Sequence, residues 1–148
     1  MKVVVDSNIV FSAILGSRIG QILTLGSQYF NFYSIDLLKE EILSHDQKIL
    51  KISGFSSKQF HEAFEIVTSK IKFIDQALIS EEQLTTAVEL TKDVDENDAL
   101  FVALTNHLDA FLWTGDKKLE NGLKKRGWDK IIKTDELRKE LMLRIAKE

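Results

Sequence analysis

The 148-residue sequence predicts an α/β protein: a mainly parallel central sheet between two layers of helices, a three-layer α/β/α sandwich built as one domain over residues 1–148. Three observations predict it. Short β-branched or aromatic runs alternate with segments of helical periodicity. That alternation implies right-handed crossovers between parallel strands, with helices covering both sheet faces. The length suits one hydrophobic core, and no repeat, low-complexity tract or linker divides it.

Residues 2–5 are an unbroken apolar, β-branched run and read as a buried first strand. Ser7 or Asn8 can cap the helix that follows, which carries Ile9, Val10, Ala13 and Ile14. Gly16-Ser17 interrupts it, and a second helical segment bears Ile19, Ile22, Leu23 and Leu25 up to Gly26. Phe30 to Ile35 is the second strand. A helix from Asp36 to about Leu50 places Leu37, Leu38, Ile42, Ile49 and Leu50 at apolar positions, and residues 51–54 form a turn. Ser56 with Gln59, and Ser80 with Gln83, are capping boxes that start helices ending near Ser69 and Thr91. Ile71 to Ile74 is the third strand. Asp95 to Asp98 opens another helix, through Ala99, Leu100, Val102, Ala103 and Leu104. Ala110 to Trp113 is the fourth strand and Lys130 to Ile132 the last, separated by a Lys-rich helix after which Trp128 reads as a surface or interface residue. Thr134 caps a final helix over 135–146.

Composition removes several function classes. With no cysteine, disulfides, thiolate zinc and cysteine catalysis are excluded. His45, His61 and His107 are the only histidines, and no two are spaced three or four apart, so any metal site is oxygen-rich and suits Mg²⁺ or Mn²⁺ better than Zn²⁺. No apolar run approaches the roughly 20 residues of a membrane helix, nor do Val3 to Val5 make a signal peptide, so no membrane association and a cytoplasmic location are expected. The net charge of −3 argues against a basic surface that coats nucleic acid. Lysines nevertheless crowd the stretch after Asp116, beginning with Lys117 and Lys118. Alone they read as a solvated helix face; beside a carboxylate cluster they become a rim able to grip phosphates.

Carboxylates recur where strands or loops meet helices: Asp6, Glu40-Glu41, Asp95 with Asp98, and Asp116. In an open parallel sheet, ligands bind beyond the carboxyl ends of the strands. Asp6 follows the first strand and Asp116 the fourth, so both face that edge. Asp95 and Asp98 sit in the first turn of a helix, and a glutamate one to two turns into the helix after strand two could reach in. Singly, each has a plain alternative: a cap for Asp6, a cap and a dipole partner for Asp95 and Asp98, a turn for Asp116, solvated surface for Glu40 and Glu41. Only for Asp6 does the plain reading lose. Together they weaken it, because gathered anions repel and need a cation. A metal-dependent nuclease is the leading reading. Asp98 heads a helix apolar on nearly all sides and ranks ahead of the more exposed Asp95. Glu41, next to Ile42 and after Leu37 and Leu38, is favoured over Glu40. Ser7, Asn8 and Thr114 are candidates for orienting carboxylates or waters, with capping as their equal alternative.

In order along the chain, these segments resemble the PIN-domain family of nucleases: Val3-Val4-Val5-Asp6-Ser7-Asn8, then Leu37 to Ile42 with His45, then Asp95-Glu96-Asn97-Asp98-Ala99, then Leu112-Trp113-Thr114-Gly115-Asp116. Ile35 stands where the family often has a proline, which leaves Glu40 and Glu41 both in view. The resemblance implies Mg²⁺- or Mn²⁺-dependent cleavage of RNA. Asp6, Glu41, Asp98 and Asp116 would be catalytic metal ligands, Asp95 an assisting one, and Thr114 a support for Asp116. It implies frequent homodimers and, for many small members, a partner antitoxin protein. The alternative is a PIN-like module that binds RNA or protein without cutting.

Overall fold

A computed structural model describes all residues, Met1–Glu148. Five strands form one parallel sheet, β1 Lys2–Val5, β2 Asn31–Ile35, β3 Ile71–Ile74, β4 Phe111–Trp113 and β5 Ile131–Ile132, in the order β3-β2-β1-β4-β5. Nine helices accompany it: α1 Ser7–Ile14, α2 Arg18–Gly26, α3 Leu37–Ser44, α4 Asp46–Ser53, α5 Ser57–Ser69, α6 Glu81–Thr91, α7 Ala99–Leu108, α8 Lys117–Lys125 and α9 Thr134–Ala146. The chain walks outward from β1 to β3, then returns across to β4 and β5. Right-handed crossovers therefore put the helices of the two halves on opposite faces. This is the expected three-layer α/β/α architecture.

Burial follows the sequence pattern. Val3, Val4 and Val5 are wholly inaccessible because β1 has neighbours on both edges and helices on both faces. Helix α7 packs against β1, β2 and β4, which explains its near-continuous apolar run: Phe101 to Leu104 are all buried. Both capping boxes form, Ser56 with Gln59 and Ser80 with Gln83, each with reciprocal side-chain to backbone bonds. Phe60, Phe64 and Val67 of α5 are core residues.

Four local expectations are corrected. The helix expected from Asp36 to about Leu50 is two helices, broken at His45, whose backbone (φ −104°, ψ 18°) leaves the helical region. The supposed turn at 51–54 is the end of α4, closed by Gly54 in the left-handed conformation (φ 73°) that glycine adopts without strain. Thr134 does not cap α9. It is the first helical residue, and its hydroxyl accepts the Trp113 indole N–H at 3.0 Å. Trp128, expected as a surface or interface residue, is 8% exposed and donates its indole N–H to Asn106.

Candidate active site

Strand order places the site. Reversing direction after β3 creates a topological switch point between β1 and β4, and the crevice beyond the carboxyl ends of such a pair is where parallel α/β sheets hold ligands. Val5 pairs with Trp113, so the next residues, Asp6 and Thr114, emerge side by side at that crevice. Both are buried, at 2% and 4% exposure, and the Thr114 side chain hydrogen-bonds the Asp6 carboxylate. Two residues on, the Asp116 backbone N–H donates to the Thr114 hydroxyl at 3.1 Å. Thr114 thus ties the two aspartates to one corner.

Three of the four aspartates also hold helix starts. Asp6, rather than Ser7 or Asn8, caps α1, accepting the Ile9 N–H at 3.0 Å. Asp116 caps α8, accepting N–H groups of Lys118 and Leu119 at 3.0 and 3.1 Å. Asp95 accepts the Asn97 N–H and starts a 3₁₀ turn, Glu96–Asp98, that leads into α7. The plain cap reading is therefore true of Asp6 and Asp95, and Asp116, expected as a turn former, is a cap as well. Asp98 differs: its side chain makes no capping bond.

Electrostatics mark this corner as overloaded with negative charge. Burial pushes the Asp6 carboxyl above its usual range, against hydrogen bonds from Thr114 and the α1 start that favour ionisation; Asp116 adds to the rise. Asp98 is half-buried and pushed up to about 7, by desolvation first and then by Asp6, Asp95 and Asp116. The four aspartates therefore sense one another. Yet no three acidic or histidine side chains come within the spacing of a ligated metal ion in this conformation. They approach at Coulombic range, with Asp98 free to turn. The donor set is wholly oxygen, as Mg²⁺ and Mn²⁺ require, and Mg²⁺ keeps several waters that can bridge distant carboxylates. The residues fit such an ion.

Glu41 is not among the groups raising Asp6 or Asp98. It is exposed, as is Glu40, because α3 turns Leu38 and Ile42 to the core. The expected inward placement of Glu41 is thus corrected. Instead it lines a cavity of about 350 Å³ together with Asn8, on the β2 side of Asp6. Ser7 is half-buried, Asn8 exposed, and Lys117 and Lys118 are exposed at the start of α8, beside Asp116. Sequence reasoning missed Ser34, a polar residue inside an aromatic strand. It is buried and donates to the Val5 carbonyl at 2.9 Å, fixing the strand end from which Asp6 springs.

The sequence profile of the PIN domain matches residues 4–141. The chain belongs to the PIN domain family. Membership supports a nuclease as the enzyme class. Among solved structures, this PIN domain is similar to the crystal structure of VapBC2 from Rickettsia felis bound to a DNA fragment from their promoter. The TM-score is 0.61 at 17% identity, over 90% of this chain and 97% of that one, a likeness of fold. No curated protein matches the PIN domain described here. No single helix is long and apolar enough to cross a membrane.

Proposed function

We propose that this PIN domain is a Mg²⁺- or Mn²⁺-dependent endoribonuclease whose site is the β1/β4 crevice. The observation that carries the reading is the meeting of Asp6, Asp98 and Asp116, with Asp95 behind them, at the switch point of a chain matched over 4–141 by the PIN profile. Asp6 and Asp116 hold fixed positions because helix caps and Thr114 fix their oxygens. Asp98 would be the adjustable ligand, because its side chain makes no capping bond. Glu41 approaches from the opposite side of Asp6, beside Asn8, and acts through water rather than by direct contact. A bound Mg²⁺ or Mn²⁺ supplies a water of lowered pKa and neutralises charge on the scissile phosphate. Ser7 and Asn8 flank Asp6 and orient waters, while Lys117 and Lys118 meet the RNA backbone.

The VapBC2 neighbour is a complex with its partner and promoter DNA, and its likeness supports placing this chain as the toxin of a toxin–antitoxin pair, restrained by an antitoxin. A homodimer is the assembly proposed from family resemblance. The deciding experiment is cleavage of a mixed single-stranded RNA by pure protein with Mn²⁺ and with EDTA, beside Asp98→Asn. Cutting that needs metal and is lost in the variant supports the assignment. Cutting unchanged in Asp98→Asn would remove Asp98 from the site.

A further inference from the structure

The cavity lined by Asn8 and Glu41 also holds polar and charged side chains, His45 and Lys48, that core packing does not use. It is lined by Asn8 and Glu41, by Phe11 and Ile52, and by His45 and Lys48. The helix break builds it. Had α3 continued through His45, these side chains would keep the periodicity of one helix; instead α4 begins afresh at Asp46 and brings Lys48 and Ile52 opposite α1. The His45 ring is fixed by its Nδ1, 2.8 Å from the Glu41 carbonyl oxygen and 3.2 Å from the Ser44 hydroxyl. With Nδ1–H donating to the carbonyl, Nε2 is left as the free nitrogen. Lys48 has no carboxylate partner, unlike Lys92, Lys124, Lys130 and Lys133, which are ion-paired. Ile52 is 65% exposed, an apolar side chain left in solvent at the mouth.

We propose that this cavity receives one unpaired base of the RNA, next to the nucleotide whose phosphate lies in the β1/β4 crevice, with Lys48 on the adjoining backbone phosphate. The inference rests on the nuclease reading for the position of the scissile phosphate. Three features select a nucleotide as the occupant. The cavity is lined by Asn8, two residues along the chain from Asp6. About 350 Å³ lies in the range of small-molecule pockets and accommodates a single base rather than a duplex. Two rings, Phe11 and His45, and an unpaired cation give the pairing of π surface and phosphate charge by which single-stranded nucleic acid is held irrespective of sequence. A base can enter only if it is unstacked, so the cavity makes the enzyme selective for single-stranded or looped RNA over duplex.

The test uses a short single-stranded RNA with one base deleted, leaving an abasic ribose, and moves that gap through each position around the cleavage point. Binding to Asp98→Asn with Mn²⁺ is read by fluorescence anisotropy, and cleavage by wild-type protein is read in parallel. One abasic position should weaken binding and cleavage by about 10- to 100-fold. In Ile52→Asp and in Lys48→Glu, both at exposed positions, intact RNA should bind correspondingly more weakly, and the abasic penalty should vanish in Ile52→Asp. A flat abasic scan, or a penalty retained in Ile52→Asp, overturns the base pocket while cleavage stands. Base-dependent binding without any metal-dependent cleavage keeps the pocket and overturns the nuclease. RNA binding untouched by either substitution, with the cavity instead protected by a protein partner, overturns the pocket too.

Discussion

Asp98 carries the pH dependence of the molecule. Its carboxyl is pushed up to about 7, far above the ordinary carboxylate value of 3.8. The folded chain therefore holds this proton over a range in which the unfolded chain has lost it. Stability from that proton is present at low pH and drains away as pH rises towards 7. Without divalent metal, the melting temperature should fall between about pH 4 and 7 and level off above, and fall less in Asp98→Asn. An equal fall in both proteins would place the ionisation elsewhere. Metal reverses the penalty, so apparent Mn²⁺ affinity should drop about tenfold per pH unit below 7 for each proton displaced, measured by titration calorimetry. Asp6 offers a second separation of roles. Asp6→Asn keeps the acceptor that caps α1 but not the charge, so it should fold normally and lose the metal-induced rise in melting temperature. Asp6→Ala should in addition lose about 1–2 kcal/mol from the missing cap. Thermal melts with and without Mn²⁺ distinguish the two.

Elements were legible to different degrees. The capping boxes at Ser56 and Ser80 and the run of α7 could be read directly, because each depends on neighbours within four residues. The break at His45 could not. No glycine or proline marks it, and its cause is a side chain competing for backbone: the His45 ring takes the Glu41 carbonyl that a continuing helix would have given to the His45 N–H, which turns to Ile42 instead. Glu41 was misplaced for a different reason: standing next to Ile42 does not put a residue on the buried face, and α3 turns Leu38 and Ile42, four apart, to the core. Trp128 was missed because Asn106, which satisfies its indole N–H, lies 22 residues away. Helix α8 has its own constraint. A Cβ at Gly122 would stand 2.7 Å from Val94 Cγ1, and a β-branched neighbour has little freedom to yield. Gly122→Ala should therefore destabilise by about 1–3 kcal/mol despite its better helix propensity, seen as a lower denaturation midpoint.

Across the whole molecule, the fold class followed from alternation, Asp6 and Asp116 from the ends of strands, and Asp95 and Asp98 from the start of a helix. The meeting itself depends on strand order. Nothing local in the sequence puts β4 beside β1, so the Asp6–Thr114 contact, set by the Val5–Trp113 register, emerged only in three dimensions. The charge layout also belongs to this scale. In a chain of net charge −3, Lys117 and Lys118 stand at the rim of a negative crevice, and Lys117→Glu with Lys118→Glu should weaken RNA binding and flatten its salt dependence. Unchanged slopes in a salt titration would take the RNA track away from α8. The place of β1 has a consequence in time. It is made before the strands that flank it, and Val3 waits for Phe111, more than a hundred residues later, before its second edge is covered. Until β4 has emerged, Asp6 has neither Thr114 nor Asp116 beside it. The crevice is therefore incomplete until β4 has emerged, and whatever activity it supports switches on only then.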